Sequence, residues 1–394
     1  MDERTTCCGT TRLGATRIGT TACGTIIALL LAACGSGGGG GGPSGVFLDS
    51  AVSGLDYATS GGALGTTGAD GRFRYGSGQT VTFSIGDAVL GVATGAAVVT
   101  PVDLVPGATD EQDESVINLA RFLQTIDLDL DPTNGIAVDP LVHQAALGVG
   151  MDFTQSVAAF EANEQAHVNT LTAGLPGGPR ALVPAQAAQD HLGATLRTIV
   201  AGRYDGRFAG DDSGPFSVYV NRAGVLFGWA VSPFDGPIAL AGGAETDGGF
   251  LAGNASTGAT FTGTIARDGT LAGTWQLGLE DGTFQGTRTV ALDDALDEDL
   301  IDALAGTYAG TFSSNFGSES FTLLLDADGN LTLPPPDDRL SGTLVSTSGT
   351  SASFVALDDE GAELRGTIQT SGALGGSLEN DLTGERGTLS GTRQ

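Results

Sequence analysis

The last 190 or so residues carry the same pattern twice. "AGRYDGRFAG" at 201 returns as "AGTYAGTFSS" at 305, and "FSVYVNRAG" at 216 returns as "FTLLLDADG" at 321. "GTIARDGTLAG" at 263 matches "GTIQTSGALGG" at 366, and "GTFQGTR" at 282 matches "GTLSGTR" at 387. The offset stays between 103 and 105, so the small insertions fall in turns. Each unit breaks into short segments about every ten residues, the spacing of an all-β barrel or sandwich. Within the segments, large residues flank a central glycine: Tyr204-Gly206-Phe208, Phe261-Gly263-Ile265 and Leu271-Gly273-Trp275. The second unit repeats this as Tyr308-Gly310-Phe312, Leu364-Gly366-Ile368 and Leu374-Gly376-Leu378. Inward glycines let strands coil sharply, and alternation of large and small residues fits the taper of a small barrel. Two small up-and-down β-barrels in tandem are therefore predicted, over 201–290 and 305–394, with sandwiches as the alternative. An acidic helical linker is expected over 291–304.

Upstream, residues 46–110 read as short strands. Val81, Phe83 and Ile85 alternate with Thr82 and Ser84, the period of a half-buried strand. Turn signals recur at Gly61-Gly62, Asp70-Gly71, Gly76-Ser77-Gly78 and Gly86-Asp87. About seven strands are expected, enough for a small β-sandwich. Residues 111–200 read as a helical segment. Val116, Leu119, Ala120 and Leu123 recur at helical spacing, with Thr109 or Asp110 as the expected cap. Further helices are expected over about 154–171 and 185–200, separated by "GLPGGP". The fold class is thus mainly β with a helical insert. The stretches "TTGADGRFRY", "VFLDSAVSGLDY" and "VTFSIGDAVLG" resemble the prealbumin-like (carboxypeptidase-regulatory-like) sandwich of bacterial surface lipoproteins. That resemblance spans about 46–136 and implies an architecture, not an activity.

The N-terminus supplies an address. Eight apolar residues, Ile26 to Ala33, precede Cys34. This is far short of the roughly 20 that span a bilayer, and it fits the core of a secretory signal with small residues at the cut. Arg4, Arg12 and Arg17 supply upstream positive charge. Leu31-Ala32-Ala33-Cys34 resembles the bacterial lipoprotein box. The resemblance implies that residues 1–33 are removed and that Cys34 carries more than one acyl chain, palmitate among them. It places the protein at the bacterial outer membrane, facing the cell surface or the periplasm. Residues 34–45 then form a Gly-rich linker, of which the eleven residues from Gly35 to Gly45 average about 17–20 Å end to end. The other cysteines, Cys7, Cys8 and Cys23, all precede the cut, so the mature chain has no second thiol to form an internal disulfide.

Composition narrows the partners. The formal net charge is −29 and the sequence contains no lysine. A nucleic-acid partner needs a basic footprint that this chain lacks, and anionic lipid would repel it.

Candidate sites are few. "GDDSGPF" at 210–216 resembles part of a serine-protease signature, but no histidine follows Ser213 and the segment suits a hairpin turn. His143, His167 and His191 are too far apart to share a helical turn and are expected to face solvent or helix ends. "DLDLDPTNG" is the best candidate: Asp127, Asp129, Asp131, Asn134 and Asp139 could offer several oxygens to Ca²⁺. The segment resembles the start of an EF-hand loop but has Pro132 in the glycine slot and Val138 in the bidentate glutamate slot. The bland reading is a hydrated acidic turn. Trp275 lies on the inner-face pattern and is expected in a core, whereas Trp229 has no such assignment.

The function expected from these features is a non-catalytic, lipid-anchored cell-envelope protein displaying β modules to a protein or glycan partner. One alternative is a carrier with a small-ligand cavity in a barrel. Another is an envelope hydrolase using paired carboxylates.

Overall fold

The computed structural model describes residues 42–254, 256–292, 298–327, 329–334, 340–358, 361–380 and 383–394. The expected signal segment, the Cys34 box and most of the expected glycine linker lie outside them.

Nine short strands come from the N-terminal part. They are β1 (Ser44–Phe47), β2 (Val52–Ser53), β3 (Asp56–Thr59), β4 (Leu64–Thr66), β5 (Arg72–Arg74), β6 (Thr80–Ile85), β7 (Ala88–Thr94), β8 (Val98–Val99) and β9 (Ile136–Ala137). One sheet runs β5-β1-β8, a second runs β4-β3-β6-β7, and β2 pairs with β9. The alternation read in β6 buries Val81, Phe83 and Ile85. Phe83 meets Phe47 of β1 at 4.9 Å and Phe73 of β5 edge-on at 5.1 Å, which joins the two larger sheets in one core.

Helix α1 (Glu114–Ile126) is buried on every side from Val116 onward. Leu119, Phe122, Leu123 and Ile126 join the sheet core, while Val116 and Ala120 pack against a later helix. Its cap is Asp113, whose carboxylate accepts from Ser115 N at 2.8 Å. The expected cap Asp110 instead holds a turn by accepting from Gln112 N at 2.9 Å. A six-residue helix, α2 (Pro140–Ala145), then precedes α3 (Val157–Thr172) and α4 (Ala185–Val200). Proline at the first position and Asp139 as cap explain α2, a start signal the sequence reading passed over.

The barrels follow. The first is β10 (Gly202–Gly210), β11 (Gly214–Val220), β12 (Val225–Ser232), β13 (Gly236–Ala244), β14 (Gly249–Gly253), β15 (Thr260–Ile265), β16 (Thr270–Leu277) and β17 (Glu280–Ala291). After α5 (Glu298–Leu304), the second is β18 (Gly306–Ser314), β19 (Gly317–Leu325), β20 (Asn330–Thr332), β21 (Leu340–Ser348), β22 (Ser351–Asp358), β23 (Glu363–Gln369), β24 (Ala373–Asn380) and β25 (Glu385–Arg393). Each is an antiparallel meander whose first and last strands pair, β10 with β17 and β18 with β25. The architecture is mainly β with a small helical part and two tandem eight-stranded barrels; the sandwich alternative for the repeats does not hold. Inward glycines explain the tight closure. Gly263 and Gly273 lie opposite one another, and a Cβ on either would come within 3 Å of the Phe284 ring lying across them.

One end of each barrel is stoppered by the helix before it. Tyr204 Oη donates to Val200 O at 2.6 Å and Arg288 Nη1 to Ile199 O at 2.6 Å. In the second barrel Tyr308 Oη donates to Leu304 O at 2.5 Å and Arg393 Nη1 to Ala303 O at 2.6 Å. A tyrosine and an arginine thus bind the unpaired carbonyls that end each helix. Val200 joins the first barrel core, and Leu300, Ile301 and Leu304 join the second.

Candidate functional site

Four places could carry function: the acidic loop, the histidines, the face between the barrels, and the barrel interiors.

In the acidic loop, Asp127 is fully buried, and its two oxygens accept from Ala137 N (2.8 Å) and Asp131 N (3.0 Å). Burial first, and the neighbouring Asp129 next, push its carboxyl up to about 6. Asp129 accepts from Asp131 N and Asn134 Nδ2, both at 3.1 Å, and these bonds hold its carboxyl below the usual range. Asp131 accepts from Thr133 N and Thr133 Oγ1. Asp139 points elsewhere, capping α2 through Leu141 N at 2.8 Å. Beneath the loop, Arg180 donates to the carbonyls of Thr125, Asp127, Leu128 and Pro176. The structure therefore brings Asp127, Asp129, Asp131 and Asn134 together but leaves Asp139 apart. Both oxygens of Asp127 and of Asp129 and one of Asp131 already have donors, and a guanidinium occupies the adjacent backbone carbonyls. Among the described residues no group of three or more His, Cys, Asp or Glu side chains is arranged to hold a metal ion.

His167 is exposed and His143 lies in the last turn of α2, as expected of histidines facing solvent or helix ends, whereas His191 is half-buried within α4. His143 joins α2 to the sheet, with Nδ1 at 3.0 Å from Asp56 and Nε2 at 2.7 Å from Gly54 O. His167 pairs with Glu164 one turn away at 2.8 Å. His191 Nε2 stands 3.1 Å from Ser50 Oγ, and Ser50 has a positive φ of 55°. Asp49 lies 3.8 Å from that same nitrogen. A catalytic triad needs the carboxylate on the opposite ring nitrogen, holding the tautomer. Here serine and carboxylate face one nitrogen, so the contact pins the Leu48–Ala51 turn to α4. Sequence reading missed it because the residues lie 141 positions apart.

Between the barrels, Tyr219, Phe227, Val355 and Leu357 form a buried cluster with half-buried Trp229 and Val345. Glu363 of the second barrel accepts from Arg203 Nη1 and from Tyr219 Oη, each at 2.9 Å. Burial first and the Glu363 charge next push the Tyr219 hydroxyl upward. The signal was present in "FSVYVNRAGVLFGWAV": its apolar runs barely alternate, as when both strand faces are covered. This gives Trp229 its place.

The interiors differ. The first barrel is filled, with a residual void of about 10 Å³. Phe284 packs against Phe216, Phe250 and Phe261 at 5.5–5.9 Å. Trp275 lies edge-on to Phe208 at 5.7 Å and donates through Nε1 to Ala209 O at 3.1 Å. The second barrel holds a cavity of about 140 Å³. Its walls include Leu364, Leu378 and Leu389, with Phe312, Phe321, Leu323, Leu333 and Leu340; Glu319, Ser320 and Asp358 also border it.

No family model matches the sequence, and no curated protein matches it. Among solved structures it is similar to a protein of unknown function from Nostoc punctiforme, at 10% identity over 50% of this chain and 98% of that one, with a TM-score of 0.18. It is also similar to the isotype 1 transferrin binding protein B of Neisseria meningitidis, at 13% identity over 46% of this chain and 52% of that one, again with a TM-score of 0.18. A transferrin binding protein B mutant from Haemophilus parasuis aligns at 9% identity over 46% of this chain and 66% of that one, with a TM-score of 0.17. Likenesses at these scores carry no argument about what this chain does.

Proposed function

We propose that this chain is an exported, non-catalytic protein of the bacterial cell envelope, tethered through fatty acyl chains on Cys34, that presents its β modules to a protein or glycan partner. The observation that carries this reading is the placement of Leu31-Ala32-Ala33-Cys34 between eight apolar residues and a run of glycines. The rest of the molecule supports it. A body without internal cysteines suits an oxidising compartment, where a spare thiol is a liability. A Gly-rich coil gives that body room to stand off the headgroups. More than one acyl chain makes such an anchor stable. The strong negative charge favours a neutral or basic partner surface over nucleic acid.

Metabolic labelling with a clickable fatty acid tests the tether. The labelled protein is expected in wild-type cells and its label lost in Cys34→Ala. Equal labelling of both, or of neither, overturns the reading.

A further inference from the structure

The two barrels are built on one repeat, so residues at matching positions can be compared directly. Phe261 faces Trp275 across β15 and β16, and Leu364 faces Leu378 across β23 and β24. Phe284 lies opposite Gly273, and Leu389 lies opposite Gly376. Three aromatic side chains of the first barrel are thus leucines in the second. All three leucines are among the residues that line the 140 Å³ cavity.

The cavity has a location and a character. Leu364 opens β23 and Leu378 falls late in β24, so both lie at the barrel end remote from α5. In the first barrel the corresponding end is closed by Trp275 against Phe208. The wall is leucine and phenylalanine. An enclosed cavity of roughly 150 Å³ lined by such residues accepts benzene; this one has that size and an apolar floor, and it opens at the barrel end, where Glu319 and Ser320 are exposed. It is too small for a drug-sized ligand, whose pockets start near 300 Å³. The polar border is acidic, Glu319 and Asp358, which disfavours an anionic guest.

We propose that the second barrel, and not the first, binds a small neutral apolar molecule of the size of a single benzene ring. The proposal does not depend on the Cys34 tether. An unlipidated protein could bind, and a lipidated one could fail to.

The probe is benzene, added to the purified intact protein, with benzoate as the charged comparison. Benzene is expected to shift the methyl resonances of Leu364, Leu378 and Leu389 and to raise the melting temperature of the second barrel by several degrees. Benzoate at the same concentration is expected to do neither. Refilling the space should abolish the response: Leu378→Trp and Leu389→Phe restore the first barrel's residues, and Leu364→Phe is the milder third variant should either fail to fold. No response to benzene near its solubility limit overturns the proposal. So does a response that survives undiminished in the refilled variants, because the molecule would then bind elsewhere.

Discussion

Asp49 is a carboxyl group with no exposure to solvent. Gln124 Nε2 donates to it, at 3.1 and 3.4 Å, His191 Nε2 lies 3.8 Å away, and burial pushes the group up to about 7 against an ordinary 3.8. The folded chain therefore keeps a proton that the unfolded chain releases between pH 4 and 7. Stability from this group is fully present below pH 4, falls as pH rises to about 7, and is flat beyond. Three pH units at about 1.4 kcal/mol each set an upper limit of about 4 kcal/mol. Asp49→Asn keeps an acceptor for Gln124 without the charge. It should melt higher than wild type at pH 8 and match it at pH 4, which thermal denaturation at the two pH values checks. The acidic loop yields the opposite kind of expectation. With its carboxylates already bonded to backbone N–H groups and Arg180 below, excess Ca²⁺ or a chelator should leave the melting temperature unchanged. A rise of several degrees with Ca²⁺ would show that the loop holds the ion.

At the scale of single elements, the aromatic filling of the first barrel and the helix stoppers dominate. Trp275→Leu gives the first barrel the residue that the second carries at the matching position, Leu378. It should open a void and cost about 2–4 kcal/mol, read as a lower melting transition. Tyr308→Phe removes only the hydroxyl that binds Leu304 O, with an expected loss of about 1 kcal/mol in denaturant unfolding. The barrel strands were legible in advance because a Gly-centred triplet recurs at fixed spacing and the inner face keeps a period of two. Helix α4 was legible from its breakers. Its role as stopper was not, because that role rests on Tyr204 and Arg288 reaching carbonyls from another element. The cavity was not legible either. Sequence comparison shows Leu378 where Trp275 stands, but only packing shows that none of the described residues replaces the lost ring. The contact between Ser50 and His191 is closed to sequence reading for the same reason.

Across the whole molecule, buried contacts connect the parts. Helix α4 packs on α1 with Leu192 and Leu196 and ends in the first barrel core at Val200. Arg267 Nη1 of the first barrel donates to Thr100 Oγ1 at 3.1 Å and to the Asp103 carboxylate. Between the barrels Glu363 holds two donors at once, so removing it leaves Arg203 and Tyr219 without that acceptor. Glu363→Ala should weaken coupling of the barrels by about 1–3 kcal/mol. Calorimetry should then show the barrels melting further apart, whereas exposed Glu379→Ala should change nothing. No helix among the described residues is long and apolar enough to cross a membrane. If the protein is held at a membrane as proposed, the acyl chains on Cys34 are the anchor on which the reading rests. The most direct test is the intact mass of the protein's N-terminal peptide, purified from cell envelopes. A peptide that begins at Cys34 and carries acyl chains is the predicted result. One that continues upstream of Cys34, or begins there with a bare thiol, would contradict the account.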